Sequence, residues 1–110
     1  MEAKLQTGPV GGRGAVEAHL VSNTTSLLIA ARGIGADMHG KVVKVLAVVE
    51  NPDANTVLIM AFRAVVMRKT VKNTERYYLY PLEGAQKFLK RLVAELGRPP
   101  RLIVHLDEEG

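Results

Sequence analysis

The chain has 110 residues, 47% hydrophobic, 24% charged and 5% aromatic, which is the composition of one soluble domain with a core of Val, Leu, Ile, Ala and Met. It contains no cysteine, which excludes disulfides, thiolate zinc sites and cysteine nucleophiles. A formal charge of +4 permits an anionic partner without demanding one.

Residues 1–14 (MEAKLQTGPVGGRG) are polar and glycine-rich, with too little apolar surface to offset ordering, so a flexible tail is expected there and a single domain over 15–110. No apolar h-region is seen at the start. Charges interrupt every apolar run before the roughly 18 residues that a membrane span needs. The expectation is a cytoplasmic protein with no membrane partner. Val, Leu, Ala and Arg dominate while Gln is scarce, a style found in proteins of hot environments.

From Ala15 to Val21, apolar Val16, Ala18 and Leu20 alternate with Glu17 and His19, the pattern of a half-buried strand. Ser22 to Thr25 reads as a turn, and Ser26 to Arg32 as a second strand completing a hairpin. After Gly33-Ile34-Gly35, Asp37 is placed to cap a helix over Met38 to Glu50, because Met38, Val42, Val45, Leu46 and Val49 form one helical stripe. Five valines between 42 and 49 also suit a strand, but the regular stripe and the Asn51-Pro52 stop favour the helix. Asn55 to Val71 is the longest β-like run, and its early part, VLIMAF, is apolar on both faces, as in a fully covered central strand. Asn73-Thr74 marks a turn, and Arg76 to Leu82 returns.

Glu83 to Leu96 predicts a second helix, with Ala85, Phe88, Leu89, Leu92, Val93 and Leu96 on one face and Lys87, Lys90 and Arg91 away from it. Gly97 and Pro99-Pro100 stop it, and Arg101 to Leu106 forms a last strand. The order β-β-α-β-β-α-β predicts an α+β domain: a mainly antiparallel sheet with two helices packed on one face.

No catalytic constellation stands out, and neither an enzymatic activity nor a cofactor is implied. GPVGGRG lacks the Lys-Ser or Lys-Thr ending of a phosphate loop and precedes a strand. In ARGIGADMHG a dinucleotide loop would need glycine where Met38 stands, though a helix N-terminus there could still hold a phosphate. His19, His39 and His105 have no partners at metal-ligand spacing.

The most informative stretch runs from Arg63 to Pro81 (RAVVMRKTVKNTERYYLYP). It holds Arg63, Arg68, Lys69, Lys72 and Arg76, one acid (Glu75), and all three tyrosines, Tyr77, Tyr78 and Tyr80. With a two-residue turn at Asn73-Thr74, Lys72 pairs with Glu75, Val71 with Arg76, Lys69 with Tyr78 and Met67 with Tyr80. Alternation then groups Arg63, Lys69, Arg76, Tyr78 and Tyr80 on one face. Phenol rings stack on unpaired bases and the cations take phosphates. Lys87, Lys90 and Arg91 would continue the basic strip if the second helix packs beside the hairpin.

In size, style and the segment RAVVMRKTVKNTERYYLYPLEGAQKFLKRL, the chain resembles the ThermoDBP-related archaeal single-stranded DNA-binding proteins over residues 15–106. The resemblance implies sequence-independent binding of single strands by an oligomer. With three tyrosines and two phenylalanines per chain, copies would pool their rings. The expectation is therefore a nucleic-acid-binding homodimer or higher oligomer, preferring single-stranded DNA or RNA. The alternative is a structural subunit of a larger complex that uses the same hairpin as a docking arm.

Overall fold

Val43, Val45, Ala47 and Val49 are buried, and Lys44 and Leu46 between them are exposed. That two-residue alternation belongs to a strand, and it overturns the helix expected over Met38 to Glu50. The β-branched valines decide the matter, since their side chains fit a pleated surface better than a helix. The five positions that read as a helical stripe mix buried Val45 and Val49 with exposed Leu46.

A computed structural model describes residues 15–51 and 56–108. Its elements are β1 (Ala15–Asn23), β2 (Ser26–Ala31), a single 3-10 turn (Ala36–Met38), β3 (Val42–Asn51), β4 (Thr56–Val71), β5 (Thr74–Pro81), α1 (Gly84–Leu96) and β6 (Arg101–Glu108). The expected N-terminal tail lies outside the described residues. The strands close into an antiparallel barrel in the order β1-β2-β5-β4-β3-β6. A barrel with one helix replaces the expected α+β sheet covered by two helices. Closure follows from the extra strand: with β3 in the sheet, β6 has a neighbour on each side, β1 and β3.

The barrel interior is filled by Ala18, Leu20, Ile29, Val43, Val45, Ala47, Val49, Ala64, Val66, Leu79, Leu102, Val104 and Leu106. One mouth is closed by α1, which places Leu89 in this core and fixes itself to β2 through Gln86. Gln86 Nε2 donates to the Leu27 carbonyl at 2.7 Å, and its Oε1 accepts from the Leu27 N–H at 3.0 Å. Gly97 ends the helix at φ 78, the left-handed conformation that glycine adopts without penalty, and its N–H donates to the Val93 carbonyl. Fully buried Met38 enters the same core from the connection between β2 and β3. That connection is pinned to β4 by two hydrogen bonds, Gly40 N–H to the Val66 carbonyl and Val66 N–H to the Lys41 carbonyl. The glycine-flanked loop thus leads into three residues of 3-10 helix, too short to offer an N-terminal phosphate site. Among the described residues, no helix is long and apolar enough to cross a membrane.

The β1–β2 turn carries strain. Thr24 sits at φ 50, and Asn23 pairs with Ser26 across the two-residue loop. A β-branched residue is poorly suited to positive φ. Thr24→Gly is expected to raise stability by about 1 kcal/mol, read as a higher urea midpoint at unchanged slope.

Candidate nucleic-acid interface

The hairpin of β4 and β5 forms, but its turn is one residue earlier than expected. Lys72 and Asn73 occupy it at φ 52 and 64, the left-handed pair of a type I′ turn, whose twist matches that of the strands. Thr74, expected in the turn, is β-branched and belongs to β5 instead. The pairs are Val71 with Thr74, Thr70 with Glu75, Lys69 with Arg76, Arg68 with Tyr77, Met67 with Tyr78 and Val65 with Tyr80. Each β4 residue is thus matched two positions away from its expected partner. An even offset leaves the faces unchanged. Arg63, Lys69, Arg76, Tyr78 and Tyr80 share one side of the arm. The other side carries Ala64, Val66, Leu79 and Pro81, which are buried, and Tyr77, which packs against the core.

Part of this side, at Arg76 and Tyr78, faces a groove rather than open solvent. Leu28 shows why. The β1–β2 register puts it with Val21 and His19 on the outer side of the barrel, yet none of it is exposed. The arm lies over this outer side: Lys69 Nζ donates to Asn23 Oδ1 at 2.6 Å, and Val21 and Ala30 line one groove with Arg76 and Tyr78. β2 and β5 join at a single pair, Ile29 with Leu79. Beyond it the strands part, and the opening has a floor of small residues, Ala30 and Ala31, with His19 beside them. The floor continues past His19 to Arg32, Glu17 and Arg101.

Charge is distributed unevenly along this path. Arg101 donates to Glu17 at 2.5 Å, and that hydrogen bond holds the guanidinium further above its ordinary range. The pair is largely neutralised. Arg76, Arg68, Lys72 and Arg32 make no ion pair among the described residues, and Glu75 is the acid nearest Arg76 in sequence on the groove wall.

The other expected residues are not gathered there. Arg63 meets Glu83 at 3.3 Å, at the far end of the arm. Arg68 and Lys72 are exposed at the tip, and Tyr80 is half-buried against β4 opposite Val65. Tyr77 is turned inward, its ring 6.0 Å from that of His39 in an edge-on arrangement. Of the basic strip expected along the helix, which packs on β2, Lys90 meets the β1–β2 turn two residues from the Asn23 that holds Lys69, and none of the strip lines the groove. Lys90 Nζ is taken by the Thr25 carbonyl, while Lys87 and Arg91 are exposed on the helix.

His19, Arg32 and Arg101 are functional candidates that sequence reasoning passed over. A faint signal existed for the first: Ala30-Ala31 interrupts an otherwise bulky strand, and a hairpin register sets His19 opposite Ala30. Among the described residues no cluster of His, Asp or Glu could hold a metal ion. Comparison with protein-family models, curated proteins and solved structures gives no match to this chain.

Proposed function

We propose that the protein binds single-stranded nucleic acid, DNA first among the candidates, without sequence preference and as a homo-oligomer. The observation that carries this reading is the groove between the arm and the β1–β2 hairpin. It sets Arg76 and the half-buried ring of Tyr78 against a floor of alanines and His19. A groove with an aromatic wall and uncommitted cations suits a strand whose bases are unpaired, because every base has a face to stack and every nucleotide a phosphate to neutralise. Alanine side chains on the floor leave room for a ring. Lys69 is held by Asn23, so it contributes its charge from a fixed place rather than as a mobile contact. No catalytic step is part of this reading.

The test is a titration of a labelled single strand of about 20 nucleotides with double-stranded competitor present. The logarithm of the binding constant is expected to fall with the logarithm of salt at a slope of about −2, the value for three neutralised phosphates on a single strand. Affinity that is absent or indifferent to salt rejects the reading. The groove would then belong to a protein partner, and the same Tyr78 would be its anchor.

A further inference from the structure

We propose that the first half of β4, residues 56–62, is the surface through which two copies of the chain associate, by pairing strand edge to strand edge. This supplies the surface for the homo-oligomer of the proposed function and depends on that reading only for the expectation that copies associate.

The argument begins with the VLIMAF run, expected to be a covered central strand. It is not covered: Val57 is 62%, Leu58 40% and Ile59 62% exposed. Residues 56–65 of β4 pair with β3, whereas β5 joins only from Ala64 onward. Thr56 to Phe62 therefore has a neighbour on one edge only among the described residues. Backbone directions follow from three hydrogen bonds. Val66 exchanges its N–H and C=O with the connection leading into β3, and the Arg63 carbonyl, on the opposite edge, accepts from Leu82 N–H. By the two-residue repeat of a strand, Val57, Ile59 and Ala61 direct their N–H and C=O groups to the same edge as Arg63, where no described strand meets them.

An edge of this kind is usually blunted by lysine, proline or a bulge. Here the segment from Thr56 to Phe62 has no charge and no proline. Its outer side continues across β3, where Leu46 stands opposite Ala61 and Val48 opposite Ile59, as an apolar stripe. The charges at the ends of the stripe are already partnered within the chain: Glu50 stands across from Arg101, Lys44 across from Asp107, and Arg63 meets Glu83. An antiparallel, two-fold pairing of this edge with itself matches the free N–H and C=O groups of Val57, Ile59 and Ala61 with those of the other copy. It also fuses the two apolar stripes. A second copy is therefore the occupant that the edge fits best, since self-pairing satisfies backbone and apolar surface together and brings no uncompensated charge into the seam.

Sedimentation equilibrium at tens of micromolar tests this on the full chain, with no nucleic acid present. The wild type is expected at twice its 12.0 kDa monomer mass. Ala61→Pro removes one free-edge N–H and leaves the ladder to β3 intact, because the Ala61 groups point away from β3. Ile59→Lys places a charge on the exposed stripe. Each is expected to weaken association at least tenfold with an unchanged far-UV circular dichroism spectrum. A wild type at 12.0 kDa overturns the proposal, and so does a folded variant of either kind that associates as tightly as the wild type. Failure here leaves strand binding by the groove standing, and loss of strand binding leaves the edge standing.

Discussion

Leu89→Ala is expected to lower the stability of the protein by about 3 kcal/mol, the largest effect of any single truncation on α1. Leu89 is fully buried in the core formed by six strands, and it is the helix's deepest side chain there. A strand in a closed barrel is held on both sides by its ladders and cannot move inward to fill the space that a leucine leaves. The other core contacts of α1 are shallower: Leu92 and Val93 are only partly buried, and Ala85 is small. The helix spans 13 residues, its N-cap position is Glu83 at φ 56 with no side-chain cap, and a helix of that length is marginal alone. Gln86 supplies two further bonds to Leu27, but these orient the helix more than they bury it. Truncating Leu89 should therefore leave a cavity and loosen the whole plug. Urea denaturation should show a lower midpoint, and the α1 amides should exchange faster than those of β3 and β6. Phe88→Ala serves as the control. Its ring is 39% exposed, so its loss should cost about 1 kcal/mol. A Leu89 variant no less stable than the Phe88 variant would show that α1 is not the plug of the barrel.

That plug role was hidden in the sequence, whereas α1 itself was plain. Its apolar stripe from Ala85 to Leu96 and its Gly97 stop are both local signals, and local signals carry helix boundaries well. The β1–β2 hairpin and the β6 strand were equally legible, from alternation and from the Pro99-Pro100 break. The segment from Val42 to Val49 was not. Apolar positions there satisfy a helical and a strand period at once, and only the neighbours on both sides, β4 and β6, select the strand. Barrel closure is a property of those pairings and has no local signature.

The candidate site followed the same division. Which residues of the arm share a face was readable, because side-chain alternation survives an even shift in register. What lies opposite that face was not. Asn23, Val21 and His19 come from more than 40 residues earlier in the chain, and the Lys69–Asn23 bond joins positions 46 apart. The helix cations show the same limit. Their spacing showed an exposed face but not which element the helix would pack on.

Tyr78→Ala is expected to weaken single-strand binding by about ten- to a hundredfold, the loss of one stacked base. The neighbouring tyrosines make this prediction sharp, because three rings in four positions point to three different surroundings. Tyr78 lines the groove with Arg76, Ala30 and Val21. Tyr80 stands on the same side of the arm but does not line the groove, so Tyr80→Ala should change affinity far less. Tyr77 also borders the opening, yet it packs against the core and edge-on to His39, so its removal should appear first as lost stability, read as a lower melting temperature. Adding Arg76→Glu to Tyr78→Ala should deepen the loss and flatten the salt dependence, since a phosphate contact and its counterion release disappear together. Fluorescence anisotropy at two salt concentrations on monodisperse variants would read all four. Equal effects from Tyr78 and Tyr80 would mean that the strand crosses the whole arm rather than entering the groove. If Tyr78→Ala instead broke the assembly and left strand binding unchanged, the arm would be a docking surface for protein, and its cations would serve solubility.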